Sequence, residues 1–184
     1  MKKLMIAAAI VCAAALSQAA CIDWAVAQNW TLADGSSKAA KNTVVYLING
    51  DTSLDTIAAA VAAGNITEQS WFYGSALTDN TKGRISENKV TSGNLTVGQE
   101  YNFSALMVDG DKYMVSDVYT QTAYKDGEEA MSITFANSTV NAGAQTAALP
   151  GAQNGWATAA VPEPTSAMLL LLGVAGLALR RRRA

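Results

Sequence analysis

The sequence has no histidine, and this absence excludes several classes of enzyme. Ser-His-Asp and Cys-His mechanisms depend on an imidazole as general base, and many catalytic zinc sites need one as a ligand. A pair of carboxylates of the glycosidase kind, or a serine with a lysine, could still support catalysis, but neither has a local signature here. We therefore expect a protein that is not an enzyme and that holds no cofactor.

Cysteine is almost as scarce, since the chain has two, Cys12 and Cys21. Cys12 lies in an N-terminal stretch that we expect to be removed, so Cys21 has no partner for an intramolecular disulfide. The folded part must then be held together by its hydrophobic core. We expect Cys21 to be an incidental thiol near a loose N-terminus, with a disulfide between two chains as the alternative.

Positive charge is scarce in the middle of the chain. Of the 13 lysines and arginines, six fall in the two terminal segments, whereas 14 of the 15 acidic residues lie between those segments. The central part therefore carries a formal charge of about −7. Such a surface repels phosphates, and we expect no nucleic acid as a partner.

The N-terminus has the pattern of a secretory signal peptide. Lys2 and Lys3 precede an apolar stretch at residues 4–16, and small residues follow at Ser17 and Ala19. This order predicts a signal peptide at residues 1–19 that directs the chain to the Sec translocon, with cleavage after Ala19.

The C-terminus combines three features in a fixed order. A short motif comes first, an uncharged apolar run follows at residues 166–179, and a basic cluster ends the chain. Prolines in the motif disfavour helix there, and the cluster should stay on the cytoplasmic side of a membrane. The run is short against the roughly 20 residues of a comfortable transmembrane helix, so composition alone indicates a marginal single-span anchor. The motif is Val161, Pro162, Glu163 and Pro164, and the cluster is Arg180, Arg181, Arg182 and Arg183.

On Pro162, Glu163 and Pro164, followed by the apolar run and the arginines, residues 161–184 resemble the PEP-CTERM sorting signal of Gram-negative bacteria. The resemblance implies that an exosortase, an integral-membrane cysteine protease-transpeptidase, cleaves near the motif and passes the protein to the outer surface, often alongside extracellular polysaccharide. It also implies that the motif residues are recognised by the enzyme and that the arginines form a cytoplasmic stop. The chain would be anchored transiently in the inner membrane and would end at the cell surface or outside the cell.

Between the two signals, the pattern predicts a mainly β fold with one short helix. Residues 43–48 are β-branched and apolar without alternation, which indicates a central strand covered on both faces, and Asn49 with Gly50 should form a turn. A helix is predicted at residues 53–63, with Thr52 or Ser53 as N-cap and Gly64 as its end.

The rest of the middle region predicts antiparallel strands. They are expected at residues 85–91, 99–108 and 112–124, the last two joined at Asp109 and Gly110, and a second hairpin should turn at Asp126 and Gly127 and return through residues 130–136. Residues 74–83 are expected to form a polar loop. The prediction is an antiparallel β-sandwich-like domain at residues 20–139, a flexible spacer at residues 140–160, and two helices outside the fold, the N-terminal signal helix and a C-terminal transmembrane helix.

Two further kinds of site were considered within the domain. Five acidic residues offer oxygen ligands for calcium, but they lack the spacing of an EF-hand loop, so no metal site is predicted. Four aromatic residues could form a platform for sugar rings, although core packing is the common role of such residues. The acidic residues are Asp109, Asp111, Asp117, Glu128 and Glu129, and the aromatic ones are Trp24, Trp30, Trp71 and Tyr73.

Together these patterns predict an exported, exosortase-sorted protein of the cell surface or extracellular matrix, without a catalytic role. Its expected partners are the Sec translocon, the exosortase, the membrane before processing, and extracellular polysaccharide. The alternative is a glycan-binding surface module that uses exposed aromatic residues.

Overall fold

The computed structural model describes residues 19–27, 30–79, 83–128, 132–136 and 143–159, in which two β-sheets pack face to face. The first sheet is built on β1, whose sequence ACIDWAV is buried almost throughout. β4 pairs antiparallel with β1 along one edge, and β8 and β9 share the other. The strands are β1 (Ala20–Val26), β4 (Ile85–Thr91), β8 (Tyr124–Lys125) and β9 (Ile133–Phe135).

The second sheet is antiparallel and is centred on the long strand β5. Its order is β10, β6, β5, β2, β3, and β7 also pairs with β5 beyond the end of β6. Side chains from both sheets fill the space between them. The strands are β2 (Val44–Asn49), β3 (Phe72–Leu77), β5 (Glu100–Asp109), β6 (Lys112–Val115), β7 (Tyr119–Thr122) and β10 (Ala157–Thr158).

One α-helix, α1 (Leu54–Ala63), covers the outer face of the second sheet. Ile57 and Ala60 of the helix pack against Ile48, Leu106 and neighbouring apolar residues of the sheet in a second core. The described residues therefore form three layers, sheet, sheet and helix. The expectation of a mainly β, antiparallel domain with one helix is confirmed, whereas both expected terminal helices lie outside the described residues.

The predictions for β2 and α1 are confirmed in detail. Val45 and Leu47 face the core between the sheets, while Ile48 faces the helix, so β2 is covered on both sides as expected. The Ser53 hydroxyl, rather than that of Thr52, caps α1 by accepting a hydrogen bond from the Thr56 backbone N–H at 3.3 Å. Gly64 ends the helix in the left-handed conformation with φ 68°.

The predicted polar loop at residues 74–83 is wrong, since β3 extends to Leu77. Small and polar residues are tolerated in β3 because it lies at the end of the sheet and pairs on one side with β2. Gly74 is also required by packing, as a Cβ at that position would lie 2.6 Å from a methyl group of Val90. This close approach brings the edges of the two sheets together.

The hairpin at Asp109 and Gly110 is confirmed, but its second arm is not one strand over residues 112–124. Two residues of β5 between Phe103 and Leu106 face three residues between Val115 and Tyr119, which forms a β-bulge and separates β6 from β7. At the bulge, the Ser116 hydroxyl accepts a hydrogen bond from the Ala105 N–H at 2.9 Å. After Thr122 the chain crosses to the first sheet as β8.

The second predicted hairpin is wrong as well. The turn at Asp126 and Gly127 exists, with φ 92° at the glycine. However, β8 and β9 both pair with β1, antiparallel and parallel respectively, and not with each other. The buried strand β1 offers a free edge to both, and this pairing replaces the local one.

Cys21 is also placed differently from the expectation of a thiol near a loose N-terminus. It lies within β1, is 0 % exposed, and its Sγ is 3.4 Å from the Thr91 hydroxyl oxygen. A disulfide between two folded chains is incompatible with this burial.

Candidate functional site

The segment at residues 143–159 is part of the folded domain, so the predicted flexible spacer is wrong for these residues. A 3-10 turn, Gln145–Ala148, packs against β6. The Thr146 hydroxyl is fully buried, where it accepts a hydrogen bond from the Val115 N–H at 3.2 Å and donates one to the Gly155 carbonyl. The segment is rich in alanine, glycine and glutamine and so resembles a linker in composition, but its residues fit closely against a sheet edge.

The amide of Gln145 ties this segment to the β-bulge. It donates hydrogen bonds to the Ser104 hydroxyl and to the Ser116 carbonyl, both at 2.9 Å. The bulge thus leaves the Ser116 carbonyl, a group that a regular ladder would use internally, free to accept from Gln145. This contact joins the segment to the bulge.

Trp156 anchors the segment to the beginning of the domain. Its side chain is 2 % exposed, and its indole N–H donates a hydrogen bond of 2.7 Å to the Thr31 carbonyl. Gly35, in the loop after Thr31, lies so close to Asn154 that a Cβ on the glycine would be 2.3 Å from the asparagine amide nitrogen. The two ends of the domain are therefore packed on each other.

The described chain ends in β10, on the edge of the second sheet. Ala157 pairs with Tyr113 and Thr158 with Lys112. The Ala159 N–H then donates to the Asp111 carbonyl at 2.8 Å, and Ala159 is 2 % exposed. The backbone is thus held by the β5–β6 hairpin up to residue 159.

The predicted sorting residues come directly after this point and lie outside the described residues. They are Val161, Pro162, Glu163 and Pro164, with the arginines at 180–183. The signal peptide up to residue 18 and the apolar run at 166–179 also lie outside. Within the part of the chain that is described, no helix has the length and apolar character needed to cross a membrane.

A model of the PEP-CTERM protein-sorting motif matches residues 160–183. The chain carries a PEP-CTERM sorting motif. This motif supports an exported protein that is targeted to an exosortase, and it confirms the resemblance seen at Pro162, Glu163 and Pro164. Comparisons of the chain with curated proteins and with solved structures gave no match.

The PEP-CTERM motif begins one residue after the last buried position of the domain. Pro162 is three residues beyond Ala159, and an extended chain spans about 3.3 to 3.6 Å per residue. The chain between Ala159 and the proline is therefore at most about 11 Å long when fully extended. The sequence predicts a spacer of 21 residues here, at 140–160, because the packing of residues 143–159 has no local signal apart from Trp156.

The acidic residues that offered oxygen ligands for calcium lie in different parts of the structure. Asp109 and Asp111 flank the tip of the β5–β6 hairpin, and Asp117 lies in the bulge. Glu128 follows β8, and Glu129 lies outside the described residues. Among the residues that the structure describes, no three histidine, cysteine, aspartate or glutamate side chains come together as a metal site.

Two of the four residues of the possible aromatic platform are buried. Trp24 and Trp30 are both 0 % exposed and belong to the core between the sheets. Trp71 is half-buried against the second core, and Tyr73 packs edge-on against Phe103 with ring centroids 5.2 Å apart. Tyr73 packs against the core between the sheets and Trp71 against the second core, so these two partly buried rings belong to different clusters.

A polar cleft of about 230 Å³ lies where the turn after β2 meets β5 and β7. The Asp51 carboxylate accepts a hydrogen bond from the side-chain Nδ2 of Asn102 at 2.8 Å, and the side-chain Oδ1 of Asn102 accepts one from the Thr120 hydroxyl at 2.8 Å. Glu100 also lines the cleft. Sequence reasoning missed this cleft because its residues are far apart along the chain. Their hydrogen bonds join the turn to the two strands, and this structural role is sufficient to explain the polar side chains of the cleft.

The start of β1 is held by a small charged cluster. Lys89 Nζ lies 3.0 Å from Asp126 Oδ1 and 5.8 Å from the centre of the Tyr124 ring. The hydrogen bond between Lys89 and Asp126 raises the pKa of the lysine and lowers that of the aspartate, while burial raises the pKa of Tyr124. Both charged groups are exposed, so the cluster stabilises strand pairing modestly and does not form a reactive site.

Proposed function

We propose that this chain is an exosortase-processed protein of the cell surface or extracellular matrix, without a catalytic role of its own. The observation that carries the proposal is the PEP-CTERM motif at residues 160–183. The exosortase removes the C-terminal helix and the arginines 180–183, and the domain is passed on from the inner membrane. The signal peptide at residues 1–19 and the Sec translocon provide the first step of this route.

The domain has features that suit a structural component outside the cell. Its formal charge of about −7 keeps it soluble, and its core needs no disulfide, since its one cysteine is buried. The sequence lacks histidine, and the Asp51 carboxylate of the polar cleft is hydrogen-bonded to the side-chain amide of Asn102. These features support a non-catalytic role, and the burial of Trp24 and Trp30 makes those two rings inaccessible to a glycan.

The proposal is tested by mass spectrometry of the protein taken from the surface or the medium of an exosortase-bearing Gram-negative cell. We expect a mature chain that lacks residues 180–183 and the apolar run before them. The double variant Pro162→Ala, Glu163→Ala should remain at full C-terminal length in the membrane fraction, because the enzyme no longer recognises it.

A matched control is available in the folded domain. Pro150 and Glu128 are the same residue types outside the motif, and both are exposed. The double variant Pro150→Ala, Glu128→Ala should be processed normally. Surface-located protein with all four terminal arginines intact would contradict the proposal.

A further inference from the structure

The processing site follows the last strand of the domain after only a few residues of chain. A protease binds its substrate as an extended segment through main-chain hydrogen bonds on both sides of the scissile bond, in the way that a peptide adds to a sheet edge. For cleavage near Pro162 and Pro164, the residues on the N-terminal side include Thr158 and Ala159. These two residues are already part of the second sheet.

Two observations show that this stretch cannot serve both purposes at once. Ala157 and Thr158 pair with Tyr113 and Lys112 of β6, and the Ala159 N–H is donated to the Asp111 carbonyl at 2.8 Å. Ala159 is also 2 % exposed, so an enzyme has no access to its side chain or backbone in the closed state. The closed form leaves three residues of chain from Ala159 to Pro162, a length of about 11 Å when fully extended.

Release of β10 would not unfold the domain. β10 has two residues, lies at the end of the strand order and pairs with β6 alone, which are the features of an element that opens locally. Trp156, held by Thr31 and buried in the main core, marks where opening stops. Opening up to Trp156 frees three more residues, so that six residues of chain, about 20 Å when extended, precede Pro162.

We propose that β10 gates processing, so that the exosortase acts on the motif only after residues 157–159 have left the edge of β6. The gate rests on the proposed function, because it regulates the same cleavage. Opening of β10 precedes every cleavage, and the rate of processing follows the population of the open form.

The test is a disulfide that keeps the gate closed. Thr158 and Lys112 are directly opposite in the antiparallel register, at a separation that a disulfide spans. The variant Lys112→Cys, Thr158→Cys should form this bond in the oxidising compartment, while the buried Cys21 does not compete. In an exosortase-bearing cell, we expect the full-length variant to retain its tail at least tenfold more than the unmodified chain, and a reductant should restore processing.

Two controls separate failure of the gate from failure of the proposed function. Each single cysteine variant should be processed normally. A ten-residue Gly-Ser insertion between Ala159 and Ala160 moves the motif away from the sheet, so the chain with both the disulfide and the insertion should be processed as fast as the unmodified chain. Normal processing of the closed disulfide variant, with the bond verified by mass, would overturn the gate. An inserted chain that is not processed even without the disulfide would instead overturn recognition of the motif, and the gate with it.

Discussion

At the scale of the residue, the tryptophans show how a side chain with two possible roles is assigned to one. A large aromatic side chain is suited both to a core and to a sugar-binding surface, so its presence in a sequence does not distinguish the two. The structure places Trp24 against Phe135, with ring centroids 6.2 Å apart in an edge-to-face arrangement, and Trp30 beside them in the same core. Burial, which depends on the whole fold, is what settles their role.

Trp156 differs from the other three tryptophans in how its polar atom is used. Its indole N–H is paired with the Thr31 carbonyl, whereas the buried N–H groups of Trp24, Trp30 and Trp71 have no acceptor among the described residues. A hydrogen bond inside a protein contributes about 0.5 to 1.5 kcal/mol, and its direction fixes the orientation of the ring. Trp156 therefore positions the C-terminal segment as well as filling space.

A residue-scale prediction concerns Asp34. Hydrogen bonds from the Ser37 side chain and from the backbone N–H groups of Ser36 and Ser37 lower the pKa of its carboxyl group from the ordinary 3.8 to about 2. Because the folded pKa is depressed, the stabilisation is complete above about pH 4 and is lost as the pH falls through about 2. An NMR titration of the side-chain carboxyl carbon should give a midpoint near 2, and a midpoint near 3.8 would show that the loop at residues 34–37 is not formed.

At the scale of the element, local signals predicted the helix and non-local pairing decided the strands. The limits of α1 followed from its cap, its first-turn aspartate and Gly64, all within a dozen residues. The strand β3 was not predicted because its sequence has a weak strand propensity. It forms because the buried strand β2 offers an edge with which it can pair. The pairing of β8 and β9 with β1 joins residues about 100 positions apart, which no short-range pattern reveals.

The helix cap provides a prediction with its own control. Ser53→Ala removes the hydroxyl that accepts from the Thr56 N–H, and we expect it to lower the free energy of unfolding by about 1 kcal/mol. Thr52 is the adjacent residue that the sequence offered as an equal candidate, and Thr52→Ala should change that free energy by less than about 0.5 kcal/mol. Urea unfolding of the domain at residues 20–159 measures both. Equal losses in the two variants would contradict the assignment of the cap.

At the scale of the whole molecule, the sorting signal was predicted correctly from the sequence, whereas the end of the domain was predicted wrongly. The PEP-CTERM motif is readable because its residues, apolar run and arginines are contiguous. The boundary was placed at residue 139 because the composition changes there, but small residues are required wherever a segment packs closely against a sheet. The junction of domain and motif, on which the gate depends, is a product of tertiary packing and has no sequence signature.

The boundary can be tested by truncation. A chain of residues 20–159 should unfold cooperatively, whereas a chain of residues 20–139 loses the buried Trp156, Thr146 and Ala144 and leaves the bulge without Gln145. Removal of one large buried side chain costs about 3 to 5 kcal/mol, a large part of the total stability of a small domain. We expect the shorter chain to lack dispersed amide signals in its NMR spectrum. Equal urea midpoints for the two chains would instead show that the domain ends at residue 139.

The arrangement of β1 sets the order in which the molecule can fold. β1 is the first strand to leave the ribosome, yet its partners are residues 85–91, 124–125 and 133–135, and the Thr31 to Trp156 contact joins residues 125 positions apart. Contacts this distant in sequence close loops of high entropy and make folding slow. A nascent chain therefore cannot complete its first sheet until more than a hundred further residues have been synthesised. This high contact order keeps the chain unfolded for longer, which is the form in which a polypeptide can be threaded through a narrow channel.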